Sequence, residues 1–244
     1  MDRLGMTWEK RRTDIQRRFE KIVDRYDVAN TFLSLGLDDG WRRLAVREGV
    51  RAAEKRSGVP FPEEGLWLDL ASGTGAMARI LTRFNISRVL RLDLSPVLLQ
   101  DRYRMRGAPS GMRVAAETHR IPLPANSVSG ALMGFATRHI PSLDEYIGEV
   151  ARVLAPGAVF VLLDMDMGRG PLWGPVYRFY FRHILPMMAA LLTRNGETYR
   201  WMVRTVEEGP KPETIVPVLA SAGFQNIDLR YPSGGAAYLI IALR

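Results

Sequence analysis

The residues best suited to chemistry lie in a short segment where an apolar run contains Asp69 and two glycines follow it. Residues 66–70 have the composition of a short buried strand, and Gly73 and Gly75 come directly after them. Glycines allow the chain to turn tightly between a strand and a helix, so that a ligand can approach the main chain and the helix N-terminus. We call residues 69–75 the glycine loop and expect it to bind a nucleotide-like cofactor.

Glycine spacing alone leaves two cofactor classes open. Residues 73–78 also satisfy the pattern G-x-G-x-x-G/A of dinucleotide-binding enzymes, so a nicotinamide or flavin enzyme is an alternative. Asp69 favours the other class, because a carboxylate at this strand end can meet the positively charged aminoacyl end of S-adenosyl-L-methionine and would repel a pyrophosphate. The expected loop contacts to this cofactor are Asp69, Ala71, Ser72, Gly73, Thr74 and Gly75.

Acidic residues near the ends of the next two strands extend the expected cofactor site. Asp93 follows the loop by roughly twenty residues and, with Leu94 beside it, is placed to bind the ribose hydroxyls under either cofactor hypothesis. Its alternative role is to cap the following helix, for which Ser95 is better placed. Glu117 and Thr118 follow the third strand, where an acidic side chain can accept the adenine amino group; a solvated surface glutamate is the alternative.

Apolar runs alternate with helical patterns along most of the chain. Together they predict an α/β fold of the Rossmann-like, doubly wound type, with a mostly parallel seven-stranded sheet that ends in an antiparallel hairpin strand. N-terminal helices and a helical insertion after strand five are added to it. Ligands of such sheets bind outside the carboxyl ends of the strands. The predicted strands are 66–70, 89–92, 112–116, 128–135, 158–164, 225–230 and 236–243.

Turn-forming residues and capping signals set the other boundaries. Helices are predicted over 76–84, from Ser95 to about Arg106, from the capping box of Ser142 and Glu145 to near Pro156, over 172–192, over 197–207 and from Pro212 onward. We therefore predict one domain with four parts. They are N-terminal helices (1–58), a cofactor-binding core (59–165), a helical acceptor-side insertion (166–209), and a C-terminal helix with strands (210–244).

The balance of charge is basic and uneven. The chain has 34 Lys and Arg against 26 Asp and Glu, a net charge of +8, and many of the cations lie on an amphipathic helical pattern between Trp8 and Tyr26. That helix could rest on an anionic membrane, but packing of its apolar stripe on its own domain is commoner and is favoured. Nucleic acid is a weaker partner, since no RNA-binding module or aromatic-basic motif accompanies the charge.

Cysteine and histidine usage argues against metal and disulfide chemistry. The chain has no cysteine, and its three histidines lack metal-site spacing, so we expect no metal. The N-terminus has no apolar signal core, and residues 172–192 are interrupted by Arg178, Arg182 and Pro186, so no membrane span is expected. We expect a cytoplasmic protein, free or peripheral at the inner face of the membrane, and leave a homodimer open.

Motifs spread over most of the chain can be matched to a known family. They are Tyr-Asp-x-x-Asn at 26–30 followed by Ser34, Gly36 and Trp-Arg-Arg at 41–43, the loop segment 68–75, and residues 117–123, 134–139, 180–186, 199–202 and 222–224. In these motifs the chain resembles the ubiquinone and menaquinone biosynthesis C-methyltransferases. It departs from them at Ser72, which replaces a glycine, at Ala76, which replaces an aspartate, and at His139, which replaces an asparagine.

The resemblance implies methyl transfer from S-adenosyl-L-methionine to a ring carbon of a reduced prenylated quinone such as demethylmenaquinol. Such an enzyme mainly holds donor and acceptor in line, and a cation beside the deprotonated hydroxyl stabilises the phenolate. The motif match makes Arg138 the candidate cation and His139 a candidate proton acceptor. Gly134 is expected near the donor, and Tyr26 and Tyr199 in the acceptor pocket. The structural alternatives are that Arg138 pairs with a helix C-terminus and that His139 caps a turn.

The departures leave other functions open. Because Ala76, Gly134 and His139 differ from the family residues, the acceptor could be another lipid or apolar small molecule. A nicotinamide-dependent oxidoreductase and a donor-binding module without chemistry complete the alternatives.

Overall fold

One mixed sheet organises the chain. The computed structural model describes residues 8–22, 34–57, 65–100, 111–171, 173–185, 187 and 196–244. Within them, seven strands form a sheet in the order β3-β2-β1-β4-β5-β7-β6. They are β1 (Trp67–Leu70), β2 (Val89–Asp93), β3 (Arg113–Ala115), β4 (Val128–Gly134), β5 (Leu154–Met165), β6 (Gln225–Arg230) and β7 (Ala237–Leu243). β1 to β5 are parallel, whereas β7 is antiparallel to β5 and β6. The predicted fold class is therefore confirmed.

Helices cover both faces of the sheet. They are α1 (Trp8–Ile22), α2 (Asp38–Ser57), α3 (Ala76–Leu81), α4 (Leu143–Val153), α5 (Trp173–Phe179), α6 (Gly196–Glu208) and α7 (Pro212–Ser221). Side chains alternate between the faces of β5, so Val161 joins a core cluster with α2 and α3, and Phe160 joins a second cluster with α4 and α7. Among the described residues, no helix combines the length and apolar character needed to cross a membrane.

Two glycines allow unusually close packing on the α2 face. A Cβ atom on Gly49 of α2 would lie 2.5 Å from Cγ2 of Val161 in β5. A Cβ atom on Gly130 of β4 would lie 2.7 Å from the ring of Trp67 in β1. Both distances are shorter than a carbon–carbon contact permits, so these positions require the smallest residue if the helix and strands are to keep their spacing.

Three predicted helix boundaries differ from the structure. Residues 95–100 form turns rather than the start of a helix, because the guanidinium groups of Arg91 and Arg113 take the carbonyl oxygens of Leu98 and Leu99. The continuation at 101–110 lies outside the described residues. α4 ends at Val153 instead of near 156, since β5 already begins at the next residue. The helix predicted over 76–84 becomes 3-10 helical after residue 81.

Candidate active site

A cleft opens at the carboxyl ends of β1, β2 and β4, where a ligand of a doubly wound sheet is expected. Its empty volume is about 760 Å³, and α1 forms part of its wall through Ile15 and Gln16. The predicted cofactor contacts that line it are Ala71, Gly73, Asp93, Leu94, Glu117 and Thr118. Gly134 and His139, from the end of β4 and the segment after it, line the same cleft. Residues far apart in sequence are thus gathered into one site.

The glycine loop presents main chain to this cleft because its backbone turns through left-handed conformations. Ala71, Gly73 and Gly75 have φ values of 52°, 52° and 87°. Gly75 is the N-cap of α3 and donates to the carbonyl oxygen of Ser72 over 2.8 Å. The amide of Ser72 in turn donates to the Leu92 carbonyl at 3.0 Å, which ties the loop to β2. Only Ala71 and Gly73 of the loop reach the wall.

Asp93 lies between the loop and the turn that follows β2. Its Oδ2 accepts from the amide of Gly73 at 2.7 Å and its Oδ1 from the amide of Ser95 at 2.8 Å. Burial raises the pKa of this carboxyl group, and those amides with the nearby Arg91 oppose the rise. Ser95 accepts from the amide of Leu98 at 3.4 Å, so the two side chains share the turn. Asp93 therefore supports the turn and also lies on the cleft wall.

Asp69 is buried and is not among the residues that line the cleft. Its carboxylate accepts from the amide of Ala78 at 2.9 Å, in the first turn of α3. Burial raises its pKa from 3.8 to about 7, despite that hydrogen bond and the charge of Arg91. Its carboxylate therefore caps α3, and its contact with the donor's aminoacyl end stays a prediction. Ser72, Thr74 and Gly75 are likewise absent from the cleft lining.

Arg91 supports the glycine loop, although no motif in the sequence assigns it to the site. It lies beside Asp69 in the register of β1 and β2 and is 1% exposed. Its Nη2 donates to the Gly73 carbonyl at 2.9 Å, so a buried cation holds the loop from behind. An arginine inside an apolar strand is the sequence feature that could have indicated this role, because a buried charge is retained in a core only when it is paired.

Glu117 joins the cleft wall to α1. Its Oε1 accepts from Arg12 Nη1 at 2.9 Å, and its Oε2 lies 2.9 Å from His119 Nε2. A second contact comes from Gln16 of α1, whose Nε2 donates to the Leu94 carbonyl at 2.9 Å. With Ile15 buried on the same side, the basic helix packs on its own domain, as favoured from the sequence.

His139 ends a 3-10 turn, Thr137–His139, and lines the cleft. Its imidazole stacks on the indole of Trp201 in α6, with centroids 5.5 Å apart and planes 15° apart. The guanidinium of Arg18 lies 5.2 Å from the centre of the same indole. Trp201 was not singled out from the sequence, although it falls in the matched segment 199–202. Tyr26 is outside the described residues, as is the side chain of Tyr199.

Arg138 is buried and ion-paired, and it is not among the residues that line the cleft. Its side chain is 3% exposed, and its Nη1 lies 2.9 Å from Oδ1 of Asp164, near the carboxyl end of β5. The other oxygen of Asp164 accepts from the amide of Thr137 at 2.8 Å and from its hydroxyl. The cation expected beside the acceptor oxygen therefore pairs with a strand carboxylate, not with a helix terminus. This arrangement fixes the turn that carries His139.

Comparisons with a family model and with individual proteins point to the same family. The model of the ubiE/COQ5 methyltransferase family matches residues 6–244. A demethylmenaquinone methyltransferase of Thermus thermophilus is 34% identical over 84% of this chain and 90% of its own. The ubiquinone/menaquinone biosynthesis C-methyltransferase of Syntrophotalea carbinolica is 30% identical over 95% of this chain and 94% of its own.

Solved structures agree on the fold. A SAM-dependent methyltransferase from Thermotoga maritima superposes with a TM-score of 0.59 at 17% identity, over 93% of this chain and 98% of its own. A Haemonchus contortus phosphoethanolamine N-methyltransferase, solved with S-adenosylhomocysteine, gives 0.54 at 14% identity, over 81% of this chain and 52% of its own. The sheet order and the family match together decide between the two enzyme classes that the glycine spacing left open. The chain belongs to the ubiE/COQ5 methyltransferase family.

Proposed function

We propose that the protein transfers a methyl group from S-adenosyl-L-methionine to a ring carbon of a reduced prenylated quinone, such as demethylmenaquinol. The observation that carries the proposal is the cleft itself, whose lining includes both a loop suited to the donor and a histidine suited to proton transfer. Relatives bearing the names of quinone methyltransferases support the choice of acceptor.

The donor half of the cleft fits this cosubstrate. Ala71 and Gly73 offer main-chain groups, and the buried carboxylate of Asp93 is placed for the ribose hydroxyls beside Leu94. Glu117 and Thr118, on the same wall, are assigned to the adenine, and Gly134 to the region of the transferred group. When bound, the sulfonium supplies an electrophilic methyl group. The protein's part is to hold the acceptor carbon in line with it and to exclude water.

The acceptor half provides a base and a rigid support for it. A ring carbon of a hydroquinone becomes nucleophilic when the neighbouring hydroxyl loses its proton, and imidazole is a suitable proton acceptor near neutral pH. His139 lies on the wall, and stacking on Trp201 fixes the plane of its ring. Arg138 acts through its pair with Asp164 as a positioning residue for this turn.

Cellular placement follows from the proposed acceptor. A prenylated quinol is a membrane lipid, so we place the protein in the cytoplasm, peripheral at the inner face of the membrane. Residues 166–209 form the acceptor-side insertion in this proposal, because α6 within them carries Trp201. Tyr26 and Tyr199 complete the proposed acceptor pocket.

A direct assay tests the function. Purified protein is incubated with S-adenosyl-L-methionine and demethylmenaquinol, and the quinone is analysed by mass spectrometry for one added methyl group. Calorimetry with S-adenosylhomocysteine and with NAD is run on the same preparation, with Asp93→Ala as the variant expected to lose donor binding. If the protein binds S-adenosylhomocysteine but does not methylate the quinol, the proposed acceptor is wrong. If it binds NAD and not S-adenosylhomocysteine, the proposed reaction is wrong.

A second candidate is the same transfer to another apolar lipid. It is favoured by the stacked His139 at a position where the family has asparagine. Incubating the protein with membrane extracts that contain unmethylated quinones together with other lipids separates the two candidates. The methylated product is a quinone under the first candidate and another lipid under the second.

A further inference from the structure

The helical segment that follows β5 has two apolar stripes, one on each side. α5 continues as a π-helical turn, Tyr180–Ile184. Tyr177, Phe181 and Leu185 are spaced one turn apart and are at most 8% exposed, in the core cluster below α2. This inner stripe attaches the segment to the domain, so the side chains on the opposite side are not needed for that attachment.

The opposite side carries the outer stripe, which we define as Val176, Phe179 and Met187. Their exposed fractions are 59%, 60% and 60%, the three highest among the large hydrophobic residues that the structure describes. Helical spacing places them on one face, and His183 lies between them, its ring 5.1 Å from that of Phe179. Single exposed apolar side chains are common, but three on one face mark an interaction surface.

Exposed arginines lie on the outer-stripe segment and on the helix that is paired with it. Arg182 belongs to the segment, and its Nε lies 2.5 Å from Glu207 of α6. Arg200 and Arg204 of α6 are also exposed and precede that glutamate by two turns and one turn. Exposed apolar side chains together with arginines on the same part of the chain complement the interface of an anionic bilayer, where the headgroups are negative and the acyl boundary is apolar.

The same insertion reaches the cleft. α6 is joined to the outer-stripe segment by the Arg182–Glu207 pair, and one of its turns carries Trp201, which stacks on His139. In contrast, Ile15 of α1 is buried and Gln16 donates to the Leu94 carbonyl, so this part of α1 packs on the domain. The three most exposed large hydrophobic side chains among the described residues lie on the insertion.

We infer that the outer stripe inserts into the interfacial layer of an anionic membrane and so brings the acceptor-side insertion to its lipid substrate. The inference rests on the proposed function for the choice of a lipid bilayer as occupant. It assigns the membrane contact to Val176, Phe179 and Met187, with Arg182 and its neighbours at the headgroups.

Vesicle flotation tests the assignment. Full-length protein is mixed with vesicles of phosphatidylglycerol and phosphatidylcholine, and the Phe179→Ser/Met187→Ser variant is compared with Phe84→Ser/Met112→Ser, which removes the same residue types at exposed positions elsewhere. We expect at least a tenfold loss of bound fraction for the outer-stripe variant and none for the control. Equal binding of the two variants would overturn the inference.

Activity and size measurements distinguish membrane contact from a failure of the proposed function and from dimerisation through the outer stripe. With a short-tailed, water-soluble quinol the outer-stripe variant should turn over like the wild type, whereas with a long-tailed quinol in vesicles it should be slower. If the wild type binds vesicles but methylates neither quinol, the proposed function fails and the surface assignment stands. If the wild type is a dimer in size-exclusion chromatography and the outer-stripe variant a monomer, the stripe binds a second copy and the inference fails.

Discussion

The imidazole of His139, which lines the cleft, is stacked on the indole of Trp201 with the planes 15° apart. If His139 accepts the acceptor's proton, His139→Asn should lower kcat roughly a hundredfold while the KM for the donor stays unchanged. The pH–rate profile should lose its acidic limb. Trp201→Phe keeps a ring under the histidine and serves as the matched control. Wild-type kcat in the asparagine variant would contradict the assignment.

The carboxyl group of Asp69 should make folding stability depend on pH. Its pKa is raised by burial from 3.8 to about 7, so the folded state keeps a proton that the unfolded chain releases. Its contribution is therefore complete below about pH 4 and is lost as the pH rises to about 7, and a change of this size is worth at most about 4 kcal/mol. Asp69→Asn keeps an oxygen for the amide of Ala78 and removes the titration.

Urea unfolding of both proteins at about pH 5 and about pH 8 measures this effect. The wild type should lose stability between the two conditions relative to the asparagine variant. Parallel changes in both proteins would show that another group is responsible.

The sequence indicates which residues lie at strand ends but not which distant side chains pair. The positions of Asp93 and Gly73 at the cleft follow from the rule that parallel strands bring their carboxyl ends together. The pairing of Arg138 with Asp164 joins residues 26 positions apart, and no local pattern indicates it. The hydrogen bond of Asp69 to α3 could not be predicted either, because a strand-end carboxylate can face a ligand or the adjoining helix.

At the scale of elements, the contact between α2 and β5 should be sensitive to a single methyl group. Gly49→Ala would place a carbon 2.5 Å from Val161, and overpacking of this kind costs about 1–3 kcal/mol. The control is Gly148→Ala in α4, where an added Cβ would meet no atom within 4 Å beyond its own helix backbone and chain neighbours, and the helix should gain about 0.5–1 kcal/mol. Denaturant unfolding gives both values. Similar effects of the two substitutions would contradict this packing.

Strands were easier to predict than helix boundaries. The long apolar run of β5 and the short one of β1 are typical of buried parallel strands, and each lies where it was expected. The Ser-Pro signal at 95–96 predicts a helix by local chemistry alone. It failed because arginines from β2 and β3 take the carbonyl oxygens of that segment, which is a tertiary effect.

At the scale of the whole molecule, α1 should contribute to retention of the donor. Its contacts with Glu117 and Leu94 span 105 and 78 residues, so the sequence could predict a basic amphipathic helix but not the surface that it covers. Arg12→Ala/Gln16→Ala should weaken donor binding roughly twofold to tenfold, since exposed ion pairs and single hydrogen bonds are modest. Arg17→Ala removes an exposed cation of the same helix and is the control; equal affinities would contradict the role of α1.

The position of α1 also bears on the order of events in each catalytic cycle. The helix is held at Leu94 and Glu117, which the proposed function assigns to the donor, while Trp201 of the insertion stacks on His139, which it assigns to the acceptor. With the donor bound there, loosening of the α1 contacts should speed release of the spent donor. In enzymes built this way, the opening of a covering element and not the bond-making step often sets the turnover rate.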